Sequence, residues 1–256
     1  MRVLPPGNIL QYMYVKRRLR KIRPQGRFLE IGSGKGNLSR ILLNYGLTGV
    51  GVDLNSSATQ KNREYNRAFV EAGKYEILEG DFLTQNWPSE SFDFIVSAMV
   101  IEHIPHEELV GFMQEVKRLL SPNGRLMLLV PAGMQFWGIE DDIAGHIMRY
   151  EQQDFKTFAD THQLKLMHIA GLTYPLSNWF KRLSDLLVRR AEEQVLEMSQ
   201  KDRTIYTGDR EVSYKTEFPK FLGLVLNPVV MYPFYLLQLA TVKSQKAMVL
   251  LGEFEK

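Results

Sequence analysis

The sequence predicts an α/β fold in which a mostly parallel sheet carries helices on both faces. Strand-like apolar runs alternate with helix-spaced segments five times between residues 27 and 131. The first run, Arg27 to Ile31, breaks into glycines at 32, 34 and 36 and passes directly into a helical pattern. An acid stands at or near the end of each of the first three runs, at Glu30, Asp53 and Asp81. Open α/β sheets bind ligands along that carboxyl edge.

Composition narrows the class. The 256 residues are 45% hydrophobic and 24% charged, enough for one sizeable core or a domain with an insertion. With 32 basic against 29 acidic residues the charge is too balanced for a nucleic-acid binder. The basic cluster between Lys16 and Arg23 reads as the solvated face of an N-terminal helix. No cysteine is present, which removes disulfides, thiolate nucleophiles and zinc-thiolate sites. The N-terminal residues lack the apolar core of a signal peptide, so a cytoplasmic protein is expected, with membrane association left open.

Taken in order, residues 8 to 22 carry a loose helical stripe of Ile9, Tyr12, Met13, Leu19 and Ile22. After the glycine turn, Leu38 to Tyr45 has helical spacing and stops at Gly46, a left-handed cap. Gly49 to Leu54 is a second strand ending in Asp53, and Ser56 to Ala72 an amphipathic helix with Asn55 or Ser56 as its cap. Tyr75 to Phe82 is a third strand and Phe92 to Ser97 a fourth. A helix from Pro105 to Leu120, a turn at Ser121 to Gly124 and a fifth strand at Arg125 to Val130 follow. Beyond it, Glu151 to His162 reads as a helix and Leu164 to Ala170 as a sixth strand.

The spacing Gly32-Ser33-Gly34-Lys35-Gly36 stops short of a dinucleotide fingerprint, and the carboxylate of Glu30 before it opposes a pyrophosphate and suits a cationic ligand. With Asp53, Asp81 and the stretch Ala98 to Ile104, the order resembles the class I S-adenosylmethionine-dependent methyltransferases over residues 26 to 171. The resemblance implies a Rossmann-like, seven-stranded sheet whose last strand is antiparallel, and S-adenosylmethionine as cofactor. It assigns Glu30, Gly32, Ser33, Gly34 and Gly36 to the cofactor turn, and Asp53 and Leu54 to the ribose. Asp81 would accept from the adenine amino group, with Phe82 beside the ring. Ser97 and Met99 would pass the methionine end, and Tyr14 would reach the cofactor from the first helix.

In the resembling family the sixth and seventh strands form a hairpin, but the next good strand here is Ala247 to Phe254. A core of residues 1–171 and 246–256 with a helical cap insertion over 172–245 is therefore expected. Within the cap, Phe221 to Val242 carries no charged residue, a length that could cross a bilayer. Asn227-Pro228, Tyr232-Pro233 and Gln238 interrupt it, and a crossing would strand the seventh strand. Three readings stay open: a buried helix pair, a homodimer interface, or a patch meeting a membrane or a lipid-like substrate.

Residues 132 to 150 hang over the carboxyl edge as a lid, and Asp142, His146, Arg149 and Tyr150 make it the best place to touch a substrate. His103 at the fourth strand's end and His146 are the candidate bases. No spacing here matches a metal motif, and none is expected. The expected reaction is in-line transfer of a methyl group to a small or lipid-like acceptor. The alternatives are a nicotinamide dehydrogenase and a cofactor-binding scaffold without catalysis.

Overall fold

Strand and helix alternate through the first half of the chain as the patterning requires. A computed structural model describes residues 3–208 and 218–256. In order these are α1 (Pro6–Ile22), β1 (Arg27–Ile31), α2 (Asn37–Tyr45), β2 (Thr48–Asp53), α3 (Ser56–Tyr65), α4 (Arg67–Glu71), β3 (Tyr75–Glu79), β4 (Phe92–Ala98), α5 (His106–Leu119) and β5 (Leu120–Pro131). Then come α6 (Ile139–Ala144), α7 (Gln152–His162), β6 (Lys165–Leu172), α8 (Leu176–Glu192), α9 (Gln200–Gly208), α10 (Tyr232–Ala240) and β7 (Val249–Glu255).

The strands form one seven-stranded sheet in the order β3-β2-β1-β4-β5-β7-β6. Neighbours are parallel except at β7, which runs antiparallel to both β5 and β6. The order reverses between β1 and β4, so the crevice outside their carboxyl ends is the natural ligand site. Each face of the sheet carries its own core. Leu29, Ile31, Ile95, Phe112, Phe155 and Phe254 pack on one side, and Leu10, Leu19, Phe28, Leu42, Phe94 and Leu251 on the other. Across the second face, Arg18 of α1 makes a bidentate pair with Glu253 of β7, both contacts at 2.6 Å and both residues buried.

Several boundaries differ from expectation for identifiable reasons. The helix expected over Ser56 to Ala72 is two helices, because the buried Asn66 turns inward, where its Nδ2 donates to Gly36 O and Asn62 Oδ1. Asn55 caps the first of them, accepting from the Ala58 N–H. β3 ends at Glu79, and Gly80 at φ +135° sends the chain into a short 3-10 turn at Phe82–Thr84. β5 begins at Leu120 and absorbs the expected turn as an irregularity opposite Phe92 and Phe94, with Asn123 at φ 62°.

The chain between β6 and β7 is helical. α10 lies on α1, anchored by Gln238, which is fully buried. Its Oε1 accepts from the Thr173 N–H at 2.7 Å and its Nε2 donates to Leu10 O at 3.3 Å. The polar residue that interrupts the apolar run is thus its attachment point, while much of the remainder faces outward. Leu224 is 80% and Val229 82% exposed, and Trp179, Phe180 and Leu183 of α8 are also exposed. No helix among the described residues is long and apolar enough to cross a membrane. α9 runs as far as Gly208, and residues 209–217 lie outside the described residues.

Candidate cofactor and acceptor site

The glycine turn is built from backbone that side chains tolerate poorly: φ is 74° at Gly32, 48° at Gly34 and 79° at Gly36. A Cβ on Gly36 would collide with Asn62 and Asn66, and one on Gly32 with Val100. At Gly34 a Cβ would meet nothing within 4 Å, so this glycine borders open space. Beside it stands Asp53 at the tip of β2. Its Oδ2 accepts from the Gly34 N–H at 2.7 Å and its Oδ1 from the Asn55 N–H at 2.9 Å. Burial pushes this carboxyl up, and the two N–H groups oppose that shift.

The neighbouring tips complete a rim. The Gly80 N–H donates to Asp53 O at 2.9 Å, tying β3 to β2. Exposed Asp81 follows, one carboxylate oxygen accepting from the Leu83 N–H, and Leu54 is 55% exposed. Ser97, next to last in β4, has a buried hydroxyl with no hydrogen-bond partner, and Met99, just past the strand, stands at φ 58° with its N–H on Leu129 O. Open space at Gly34, a carboxylate beside it and an orphan hydroxyl at the next tip fit S-adenosylmethionine, a nucleoside with a cationic tail.

Three expected contacts are corrected. Glu30 does not reach the rim. Strand alternation puts it on the Phe28 face, toward α2, where its Oε2 accepts from Ser39 Oγ. Burial pushes its pKa up to about 8. Around it, Ser39 and Tyr75 hydroxyls are 2.6 Å apart, and Asn62 Nδ2 donates to Ser33 Oγ and Tyr75 Oη. Together with Asn66 on Gly36 O, this buried polar cluster clamps the turn from beneath. The Phe82 ring packs into the core against Phe112 and Trp87, leaving only its backbone at the rim. Tyr14 is buried and hydrogen-bonds His168 of the edge strand β6, which three strands separate from β1.

The lid is likewise folded inward. The Tyr150 phenol donates to Ile101 O at 3.0 Å, and burial pushes its pKa up. Arg149 donates through Nε to Asp141 Oδ1 and through Nη1 to Ala132 O. Both are therefore braces of the 132–150 segment, not groups free to meet a substrate, and Asp142 is engaged by the Trp137 indole N–H at 3.0 Å. What the lid delivers is His146, whose ring meets His103 edge to face at 4.8 Å.

His146 Nδ1 lies 2.8 Å from Asp141 Oδ1, and His103 Nδ1 lies 3.3 Å from both Gly145 O and Thr204 Oγ1. Burial acts to raise the Asp141 carboxyl, but hydrogen bonds from His146 and Arg149 win and hold it below its ordinary value. Burial pushes His103 down to about 4 and keeps it neutral near pH 7. Glu102 completes the group. It is fully buried, with its Oε1 3.8 Å from His146 Nε2, and burial pushes it up to about 7. Sequence reasoning passed over Glu102; the acid-histidine pair directly after β4 was the available signal.

α9 roofs both halves. The Asn55 side chain donates to Ile205 O at 2.7 Å beside Asp53, while Gln200 Nε2 donates to Gly145 O at 2.9 Å beside His103.

Comparison with known proteins agrees with this geometry. A family model described as a methyltransferase domain matches residues 12–169. The ubiquinone biosynthesis O-methyltransferase of Bartonella bacilliformis is 27% identical over 191 residues, covering 65% of this chain and 73% of that protein. The ubiquinone/menaquinone biosynthesis C-methyltransferase of Ectopseudomonas mendocina is 30% identical over 111 residues, 42% of this chain and 43% of that one. Among solved structures, phosphoethanolamine N-methyltransferase 2 of Haemonchus contortus in complex with S-adenosyl-L-methionine aligns with a TM-score of 0.57 at 16% identity. That alignment covers 96% of this chain and 52% of the other.

Proposed function

We infer that this chain, which belongs to the class I S-adenosylmethionine-dependent methyltransferases, methylates a lipid-like acceptor that reaches the site from a membrane surface. The observation that carries the acceptor class is the helical segment between β6 and β7. It roofs the crevice with α9 while exposing Leu224, Val229, Trp179 and Leu183 to solvent. Exposed large apolar side chains in this segment support a membrane or ligand contact. Basic residues of α1 adjoin it, since Arg17 and Arg20 act electrostatically on Tyr235 of α10, a charge pattern suited to anionic lipid. Relatives named for ubiquinone biosynthesis support the same class of acceptor.

Bound S-adenosylmethionine supplies a sulfonium methyl already activated for displacement. The protein's part is to hold, align and dry the two reactants. Asp53 takes the ribose hydroxyls and Asp81 the adenine amino group. The turn at Gly34 receives the methionine portion, and the hydroxyl of Ser97 donates to its polar end. The acceptor lies toward His103 and His146, under α9, which excludes water.

The test is transfer of labelled methyl from S-adenosylmethionine by the purified chain, supplied in parallel with a lipid extract and an aqueous extract. Label in the organic phase is expected. Label confined to water-soluble products overturns the lipid assignment, and label in neither favours a scaffold without catalysis.

A further inference from the structure

The cluster at the end of β4 contains an arrangement that methyl transfer by proximity does not require. Asp141 Oδ1 already accepts from Arg149 Nε at 2.8 Å and Gly145 O is a carbonyl, so both stand as acceptors toward the imidazoles. The Nδ1 atoms of His146 and His103 therefore carry the protons, and each Nε2 presents a bare lone pair. Neither carboxylate oxygen of Glu102 has a hydrogen-bond partner, although the side chain is fully buried. One ligating atom from each of Glu102, His103 and His146 lies within 4.8 Å of the others.

Three electron-pair donors thus converge in a buried place without a donor between them. Such a concentration of lone pairs is costly unless something positive bridges it. Asp141 behind His146 and Gly145 O behind His103 are the outer partners that orient metal-binding imidazoles. We propose that Glu102, His103 and His146 form a site for a divalent first-row transition cation, roofed by Thr204 of α9. Two imidazoles and one carboxylate suit Zn²⁺, Mn²⁺ or Fe²⁺ and leave positions open. At about 2.1 Å from each ligand, a cation would draw the three atoms together by about an ångström, a movement that side-chain rotation supplies.

An open position here deepens the methyltransferase reading, on which this further step rests, because it selects an acceptor with an ionisable hydroxyl. A cation there would lower the pKa of a hydroxyl bound to it, and the proton would leave to solvent. The oxygen lone pair then forms the new C–O bond as the C–S bond breaks, its electron pair remaining on sulfur. The product is a methyl ether and the demethylated cofactor.

The site is tested without any turnover. The full chain, stripped with chelator, is titrated with Co²⁺ followed by its visible spectrum and with Zn²⁺ and Mn²⁺ by calorimetry, with S-adenosylmethionine affinity measured separately on the same samples. One equivalent bound by the wild type is expected. Asp141→Asn, which acts through His146, should weaken binding by about 10–100-fold, and Glu102→Gln and His103→Asn by at least as much. Circular dichroism confirms that each variant is folded. No stoichiometric binding by the wild type, or unchanged binding by folded Glu102→Gln, overturns the metal site. Intact S-adenosylmethionine binding in that event would leave the methyltransferase reading standing.

Discussion

The Asp53 carboxylate accepts a hydrogen bond from the Gly34 backbone N–H at 2.7 Å, joining the tip of β2 to the middle of the glycine turn. A residue whose Cβ would face open space is thereby fixed beside a carboxylate that can grip a ribose. The strained turn and the acid form one unit, and it is supported from below by Asn62, Asn66, Ser33 and Glu30.

Gly34 and Gly36 should respond differently to alanine. At Gly34 the added methyl meets nothing, so Gly34→Ala should cost only the strain of a positive φ, about 1–2 kcal/mol. It should nonetheless weaken S-adenosylmethionine binding at least tenfold by occupying the cradle. Gly36→Ala collides with the Asn62 and Asn66 side chains and should cost about 2–5 kcal/mol, the sum of strain and overpacking. Thermal melts and calorimetry on both variants check this. Equal stability losses would contradict the packing described.

Stability should fall with rising pH because of Glu30. Its unfolded value is near 4.5 and its folded value about 8, so the native state holds a proton that the unfolded chain has released. The stabilising contribution is complete below about pH 4.5 and disappears as pH passes 8. Glu30→Gln mimics the neutral form and should flatten the decline, raising stability at pH 9 relative to wild type by a few kcal/mol at most, at about 1.4 kcal/mol per pKa unit. A parallel pair of stability-pH curves would refute the assignment.

The Arg18–Glu253 pair joins α1 to β7 across a dry interface. Removing one partner leaves a buried charge, so Glu253→Gln or Arg18→Met alone should cost about 3–5 kcal/mol. Replacing both by methionine should recover much of that loss. Denaturant unfolding of the four proteins measures the coupling, and additive losses would contradict it.

The surface of the helical cap should bind anionic vesicles. Leu224→Glu and Val229→Glu lie at exposed positions and should leave stability within about 0.5 kcal/mol. Each should reduce sedimentation with phosphatidylglycerol vesicles severalfold, and raised salt should do the same to the wild type. Unchanged sedimentation, or a monomer formed from a wild-type dimer in its place, would assign the patch to self-association.

Much of this architecture was legible in the sequence because its signals are local. The glycine turn, the stop at Gly46, the Asn55 cap and the seventh strand at residues 249–255 each follow from short-range backbone chemistry. Side-chain direction was less legible. Glu30 and Asp53 both end strands, yet alternation turns the first beneath the turn and leaves the second at the rim. Tyr14, Arg149 and Tyr150 have the chemistry of site residues, but partners distant in sequence, at His168, Ala132 and Ile101, draw them into the scaffold. Glu102 escaped notice for the opposite reason. Its significance lies in lacking partners, which only packing reveals.

The central claim is that a single rim at the carboxyl ends of β1, β2 and β4 gathers S-adenosylmethionine through Asp53. Isothermal titration of wild type and Asp53→Ala with S-adenosylmethionine addresses it directly. Two charge-assisted hydrogen bonds at about 1.5–3 kcal/mol each predict that the variant, folded by circular dichroism, binds at least 100-fold more weakly. Equal affinity in the two proteins would contradict the account.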